Sequence, residues 1–173
     1  MSTDRTILLL RHAKSAWGLE VPDHDRPLSG RGRRDGKAVG ELLVGRGLVP
    51  DLVWCSTALR ARQTWERAVT AGARAGRVVY DDLLYEAETD ELVTALRRTP
   101  PEVATLLVIG HAPAVPDLVE RLAPRIDNAE LWKQLDIKYR TSGLAVLGCH
   151  GPWAELRDQS AQLVDFVVPR GRR

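Results

Sequence analysis

The sequence predicts an α/β fold, a three-layer α/β/α sandwich with a mostly parallel central sheet. Short aliphatic runs alternate along the chain with longer segments whose apolar residues recur at helical spacing. The runs are nearly continuous in apolar residues, as expected for strands that are buried on both faces. Alternation of this kind favours parallel strands that helices cover on both sides.

The first half of the chain contains two predicted strand–helix units. Residues 6–10 form the first strand, and Ser29 is placed to cap a helix that ends at the glycines of GRG, residues 45–47. Residues 51–54 form the second strand, and the helix over residues 58–70 ends at the glycine-containing AGARAG. Each strand is therefore followed by a helix, which is the connection that parallel strands need.

The second half of the chain repeats this pattern. Residues 77–80 form a third strand, and Thr89 is placed to cap a helix that ends before a Pro-Pro pair. Residues 105–109 form a fourth strand, and the helix behind it starts at Pro113. A fifth strand over residues 144–147 completes the predicted sheet.

The size and charge of the chain limit the classes of partner. With 173 residues the chain is predicted to be a single domain, residues 1–173. Lys and Arg number 25 against 23 Asp and Glu, and the net charge of +2 gives no support for nucleic acid as a partner. The densest basic runs, RGRR at 31–34 and again at 170–173, are interpreted as solvated faces.

Cysteine usage and hydropathy predict a cytoplasmic location with no membrane partner. Cys55 and Cys149 form neither a disulfide framework nor a zinc-binding pattern. The first residues, MSTDRT, lack the apolar stretch of a signal peptide, and no apolar run approaches the length of a membrane span. We therefore expect a reduced cytoplasmic setting.

Cationic or potentially cationic side chains follow three of the predicted strands. Arg11 and His12 come directly after the first strand. Ser56 follows the second, with Arg60 on the helix behind it, and His111 follows the fourth. Because ligands of such sheets bind beyond the carboxyl ends of the strands, these groups should meet at one edge. They would repel one another without an anion between them, so a phosphate site is predicted there.

The same residue types suit phosphoryl transfer. The planar guanidinium of arginine can donate hydrogen bonds to two phosphate oxygens at once, and two arginines can stabilise the transferring group from two sides. A histidine between them can attack phosphorus if one ring nitrogen is unprotonated and the other holds the ring, commonly by donating to a backbone carbonyl. Nearby arginines disfavour an imidazolium, so neutral histidine is expected near pH 7. Residue type alone leaves open whether His12 or His111 is the nucleophile.

Four segments resemble a known family. In order, LLLRHAKS, DHDRPLSGRG, CSTALRARQT and LLVIGHAP resemble the histidine phosphatase superfamily, which also contains the phosphoglycerate mutases. The short chain and the run DHDRPLSGRGRRDG resemble the SixA-like phosphohistidine phosphatases, and the likeness extends over the whole length. The resemblance implies a three-layer α/β/α fold and a two-step reaction through a phosphohistidine, with no metal or other cofactor.

The resemblance also implies roles for individual residues. The Arg-His-Gly motif of the superfamily stands here as Arg11-His12-Ala13, with His12 as the residue that becomes phosphorylated. Arg60 matches the second arginine of the superfamily. His111 matches its second histidine, which would bind phosphate or stabilise its charge.

A proton donor is also implied by the resemblance. Larger relatives place a glutamate after the middle strand, where it protonates a departing alkoxide, and Glu86 stands in the corresponding region with Glu88 and Asp82 nearby. An imidazole, whose conjugate acid has a pKa of about 6.5, leaves more readily than an alkoxide. A phosphohistidine phosphatase therefore needs this acid least. Arg26 and Ser56 are further candidates for contact with the substrate.

The predicted substrate is a protein that carries phosphohistidine. Between Arg60 and His111 the sequence predicts two helices and two strands, which account for all of this segment and leave no room for an inserted lid. An uncovered site admits a histidine displayed on another protein. The other histidines, His24 and His150, are interpreted as surface residues.

Three alternatives share the same predicted pocket. A broad phosphomonoesterase would act on small phosphorylated molecules, and a mutase would need a secure acid and a site that retains its intermediate. A non-catalytic phosphate- or phosphohistidine-binding module is disfavoured because His12 and both arginines are present. The oligomeric state is not predicted.

Overall fold

The computed structural model describes residues 4–173, which form one six-stranded sheet with helices on both faces. The strands are β1 (Asp4–Arg11), β2 (Leu52–Ser56), β3 (Arg77–Asp81), β4 (Thr105–Gly110), β5 (Leu144–His150) and β6 (Ala161–Val167). The helices are α1 (Gly30–Gly45), α2 (Leu59–Thr70), α3 (Leu83–Glu86), α4 (Thr89–Leu96), α5 (Ala114–Leu122) and α6 (Ala129–Ile137). Short 3₁₀ turns cover Asp23–Asp25 and Trp153–Glu155. Among residues 4–173, none of the helices is long and apolar enough to cross a membrane.

The sheet is mostly parallel, as predicted, with the strand order β3-β2-β4-β1-β5-β6. Parallel pairs join β1 to β4, β4 to β2 and β2 to β3. Strand β5 runs antiparallel to both of its neighbours, β1 and β6. The carboxyl ends of the other five strands therefore share one edge of the sheet with the beginning of β5.

The two faces of β1 enter two separate layers of the core. Leu8 and Leu10 are fully buried on the face that α1 and α2 cover. Ile7 and Leu9 are fully buried on the opposite face, where α3, α4, α5 and α6 pack. Successive side chains of a strand point to opposite faces, so an apolar run of this kind needs a helical layer on each side. The three-layer α/β/α sandwich predicted from the sequence is confirmed.

Helix α1 begins where the sequence predicts. Ser29 is its N-cap, and its Oγ accepts a hydrogen bond from the backbone N–H of Gly32 at 3.0 Å. Gly32 is needed at this position because a Cβ would lie 1.9 Å from the carbonyl oxygen of Lys14. The start of α1 therefore packs directly on the chain that leaves β1.

The cap predicted for α4 is wrong by one residue. Glu88 is the N-cap and forms a capping box with Glu91, because Thr89 already lies inside the first turn. Helix α3, helix α6 and strand β6 are elements that the sequence analysis did not predict. In β6 the polar residues Gln162 and Asp165 interrupt the apolar ones, so the strand does not stand out as a continuous aliphatic run.

Candidate active site

The predicted phosphate-binding residues meet at the carboxyl edge of the sheet. Arg11 is the last residue of β1, and Ser56 is the last residue of β2. His12 and His111 directly follow β1 and β4, and their ring centroids are 5.0 Å apart. Arg60 lies in the first turn of α2, with its Nε 3.3 Å from Nε2 of His12. The structure therefore brings these five residues together, as the sequence predicts.

His12 is buried and held in one tautomer. Its Nδ1 lies 2.7 Å from the carbonyl oxygen of Ala13, and since a carbonyl only accepts, the ring hydrogen resides on Nδ1. The lone pair is then on Nε2, which accepts a hydrogen bond from Nε of Arg60. Burial, together with the charges of Arg60 and Arg11, lowers the pKa of His12 to about 3. The ring is therefore neutral near pH 7, and its unprotonated nitrogen is Nε2.

The backbone around His12 is fixed from two sides. The N–H of Ala13 donates to Oγ1 of Thr64 at 3.0 Å, and the Thr64 hydroxyl donates to the carbonyl oxygen of Arg60 at 2.7 Å. The N–H of Ser142 donates to the carbonyl oxygens of both Arg11 and His12. Helix α2 and the chain before β5 therefore hold the turn on which His12 stands.

His111 presents a second neutral imidazole. Its Nε2 lies 2.8 Å from Oγ of Ser56, whose oxygen also accepts from the backbone N–H of Ala58. The Ser56 hydroxyl can therefore donate its hydrogen to Nε2 of His111, and in that tautomer the ring hydrogen is on Nδ1. That Nδ1 is buried and has no partner among residues 4–173. Burial, with the charge of Arg60, lowers the pKa of His111 to about 4.

Arg11 also has a buried donor without a partner. Its Nη1 donates to the carbonyl oxygen of Tyr139 at 2.8 Å, while its Nε is buried and makes no hydrogen bond within the described part of the chain. Buried polar groups are normally hydrogen-bonded. Arg11 Nε and His111 Nδ1 are thus two donors near His12 that a phosphoryl oxygen would satisfy.

Asp23 is a site residue that the sequence analysis missed. Arg60 donates from Nη1 to the Asp23 carbonyl oxygen at 2.8 Å and from Nη2 to its Oδ2 at 3.1 Å. Nη2 of Arg26 and the hydroxyl of Tyr85 also donate to the Asp23 carboxylate, each at 2.8 Å. These hydrogen bonds hold the pKa of Asp23 well below its usual range. The carboxylate therefore stays ionised and orients Arg60 toward His12.

Arg26 lies at the rim of the site. It donates to Asp23 and to Oγ of Ser15, and its guanidinium lies 3.8 Å from the ring centroid of Trp17. Through these contacts Arg26 holds the Asp23 carboxylate in position. Its predicted contact with the substrate stays a prediction.

Glu86 is exposed at the end of α3, and its role as acid stays a prediction. The preceding residue, Tyr85, borders the site, with its ring centroid 5.6 Å from that of His111. His24, interpreted as a surface residue, instead packs edge-on against Tyr85 at 4.8 Å and contacts Oγ1 of Thr57 at 2.9 Å. The 3₁₀ turn Asp23–Asp25 thus forms one wall of the site, which helical and strand periodicity do not indicate.

Within residues 4–173 no group of three or more His, Cys, Asp or Glu side chains is placed to share a metal ion. The expectation of a reaction without metal stays a prediction.

The sandwich fold, with two histidines and two arginines at one edge of the sheet, defines the class of protein. These are the features that the resemblance to the histidine phosphatase superfamily implies. The chain matches the model of the histidine phosphatase superfamily (branch 1) over residues 7–103. The chain therefore belongs to this superfamily, and it is SixA-like.

Individual relatives support this placement. The chain is 40% identical to an uncharacterised protein of Mycobacterium tuberculosis over 163 residues, which cover 93% of this chain and 100% of that protein. It is similar to a candidate phosphohistidine phosphatase SixA from Nakamurella multipartitia, with a TM-score of 0.79, 34% identity and 96% of each chain covered. A candidate SixA from Agrobacterium tumefaciens gives a TM-score of 0.76 at 32% identity, covering 95% of this chain and 99% of that one. Membership of the superfamily supports phosphatase activity.

Proposed function

We propose that the chain is a phosphohistidine phosphatase that hydrolyses phosphohistidine on proteins through a phosphorylated His12, without a metal ion. The observation that carries this proposal is the geometry of His12. Its Nδ1 hydrogen is held by the carbonyl of Ala13, and its Nε2 lone pair faces Arg60 across 3.3 Å. A buried neutral imidazole held in this way is an activated nucleophile.

The reaction takes place in two displacements. First, Nε2 of His12 bonds to phosphorus while the bond from phosphorus to the substrate nitrogen breaks, and the substrate imidazole leaves with that electron pair. In the second, a water oxygen bonds to phosphorus while the bond from phosphorus to Nε2 breaks, and its electron pair returns to Nε2. One water hydrogen stays on the phosphate oxygen, and the other passes to solvent as a proton. Inorganic phosphate and free His12 result.

The surrounding donors suit the charge that develops on the phosphoryl oxygens. Arg60 contacts the nucleophilic nitrogen directly, and Arg11 Nε and His111 Nδ1 are buried and have no partner among residues 4–173. Donors that are already in place cost no reorganisation when the charge develops. We therefore assign Arg11, Arg60 and His111 to phosphate binding and charge stabilisation.

The leaving group explains why a strong acid is not needed. A phosphohistidine can arrive with its ring protonated and then leaves as a neutral imidazole. The carboxylate beside Arg60 is that of Asp23, which is kept ionised and so does not donate a proton. Exposed Glu86 is retained as the candidate acid for substrates with an alkoxide leaving group.

The substrate class follows from access to the site. Between Arg60 and His111 the chain forms the rest of α2, then β3, α3, α4 and β4. We propose that residues 1–173 act as one domain without an inserted lid. An open site of this kind suits a histidine on the surface of another protein better than a small sugar phosphate.

The test is turnover of a phosphohistidine peptide in the presence of a chelator. We expect phosphate release by the wild type and none by His12→Ala, whereas His150→Ala at the opposite end of β5 should keep wild-type turnover. An alkaline quench followed by mass spectrometry should find phosphate on the peptide that contains His12. Wild-type turnover by His12→Ala would refute the mechanism.

The alternatives give different outcomes in the same assay. Faster turnover of sugar, serine or aryl phosphates than of the phosphohistidine peptide would favour the broad phosphomonoesterase. Binding of the peptide with no burst of phosphate would favour the non-catalytic module.

A further inference from the structure

A cationic groove lies next to the candidate active site. It is a surface cavity of about 260 Å³ that Thr141 and six basic side chains line, and no acidic residue lines it within residues 4–173. The basic residues are Arg11, Lys14, Arg31, Lys138, Arg140 and Arg170. Arg11 joins the two sites, because it lines the groove and its charge also acts on the ring of His12.

The antiparallel strand explains how the groove forms. Leu144, at the beginning of β5, pairs with Leu10 near the end of β1 and with Val167 at the end of β6. The chain that enters β5 and the chain that leaves β6 therefore reach the carboxyl edge beside Arg11. They bring Arg140 and Arg170 to the edge, although neither follows a parallel strand with a catalytic residue.

One buried carboxylate accounts for only part of this charge. Asp35 is 1% exposed and pairs with Arg170 at 3.0 Å and with Arg31 at 3.5 Å. It also accepts the backbone N–H of Gly171 at 3.0 Å. The two RGRR runs, interpreted from the sequence as separate solvated faces, thus meet at one carboxylate.

The remaining charges of the groove face solvent. Lys14, Lys138 and Arg140 are exposed and form no ion pair with any residue that the structure describes. The six basic side chains of the groove are balanced by one buried carboxylate, that of Asp35, whereas the whole chain carries a net charge of only +2. Positive charge is therefore concentrated on one side of the candidate site, where it would attract anions.

We propose that this groove binds acidic side chains that flank the phosphohistidine in the protein substrate. The proposal rests on the phosphohistidine phosphatase function and adds the sequence context of the substrate. Lys14 comes from the chain after β1, whereas Lys138 and Arg140 come from the connection between α6 and β5. All three side chains are long and exposed, and they line an open groove. Such an arrangement suits several carboxylates spaced along a polypeptide, whereas one small phosphate is gripped by buried, converging donors like those around His12.

The experiment compares phosphohistidine peptides whose flanking residues are acidic, neutral or basic. We expect the wild type to favour the acidic peptide over the neutral one by about tenfold in kcat/KM, mainly through KM, because exposed charge pairs each contribute little. In the double variant Lys138→Glu/Arg140→Glu the preference should disappear or invert.

A charge-matched control separates the groove from net charge. Arg74 and Arg98 are exposed and precede β3 and β4, at the opposite edge of the sheet. The double variant Arg74→Glu/Arg98→Glu should keep the preference for the acidic peptide. Equal turnover of acidic and neutral peptides by the wild type, or an unchanged preference in Lys138→Glu/Arg140→Glu, would overturn the proposal.

Binding of an unphosphorylated acidic peptide tests the groove separately from turnover. If no phosphohistidine peptide is hydrolysed, the phosphatase function fails, and fluorescence anisotropy of a labelled acidic peptide still decides about the groove. We expect Lys138→Glu/Arg140→Glu to bind it at least about fivefold more weakly than the wild type does. Equal affinity of the wild type and the double variant for this peptide would overturn the proposal. Tighter binding of an RNA oligonucleotide of the same charge than of the peptide, lost in the double variant, would overturn it as well.

Discussion

Two halves of the same sheet edge carry positive charge in different ways. On one side the ends of β1, β2 and β4 bring His12, Arg60 and His111 together. Arg60 donates a hydrogen bond to buried His12, and the half-buried His111 bonds to Ser56. On the other side, the beginning of β5 and the end of β6 place Arg140 and Arg170 around an open groove. Arg11 belongs to both halves.

Burial is the difference between these halves. His12 and Arg60 are 7% and 6% exposed, so their electrostatic interactions are strong and their geometry is fixed. The exposed cations of the groove are screened by salt and free to move, which weakens each individual contact. The buried half is therefore suited to chemistry on one phosphoryl group, and the exposed half to recognition of a variable anionic surface.

The largest expected effect is on the buried half. Arg60→Ala removes the donor nearest to the nucleophile, and we expect kcat to fall by about 10³-fold, as for loss of a charge-stabilising donor. The exposed Arg74→Ala should have no such effect. Steady-state kinetics on a phosphohistidine peptide measures both, and wild-type turnover by Arg60→Ala would show that the buried cluster does not act on phosphate.

A smaller effect is expected on stability when the buried Asp35 carboxylate, which pairs with two arginines of the groove, is removed. Asp35→Ala leaves Arg170 and the N–H of Gly171 without their acceptor, and we expect the free energy of unfolding to fall by roughly 3 kcal/mol. Asp136→Ala breaks an exposed pair with Arg125 and should cost much less. Urea denaturation of the two variants compares them, and equal losses would mean that the carboxylate beneath the groove is not needed for its structure.

The smallest effect concerns the response to acid, which should differ between the halves. An unfolded chain binds a proton on His12 below about pH 6.5, whereas the folded chain leaves this ring neutral down to about pH 3. The unfolded state therefore binds more protons in this window, and the stability of the wild type falls as the pH drops. Between pH 7 and pH 4.5, the free energy of unfolding of His12→Asn should therefore fall by roughly 2 kcal/mol less than that of the wild type.

The control for the acid response lies in the groove. Lys138→Gln leaves the buried His12 unchanged, so its stability should follow the wild-type curve as the pH falls. Urea midpoints at several pH values make this comparison. Parallel curves for His12→Asn and the wild type would show that His12 is not a buried neutral ring.

The sequence predicted the buried half better than the exposed one. Arg11, His12 and His111 directly follow aliphatic runs, so strand recognition alone placed them at one edge. Asp23 was missed because its partners Arg60 and Tyr85 are 37 and 62 residues away in sequence. The assignment of Thr89 as the cap of α4 failed by one residue because Glu88 competes for the same helix terminus.

By itself the sequence determined the α/β alternation, the main strands and the histidine and arginine motifs, because periodicity and strand endings are local properties of the chain. Only the tertiary structure decided that β5 runs antiparallel to its neighbours and that Arg31 and Arg170 both pair with Asp35. The physical reason is that strand direction and the pairing of a buried charge depend on contacts between distant segments. Arg170 and Asp35, 135 residues apart, form their ion pair only once the sheet has assembled.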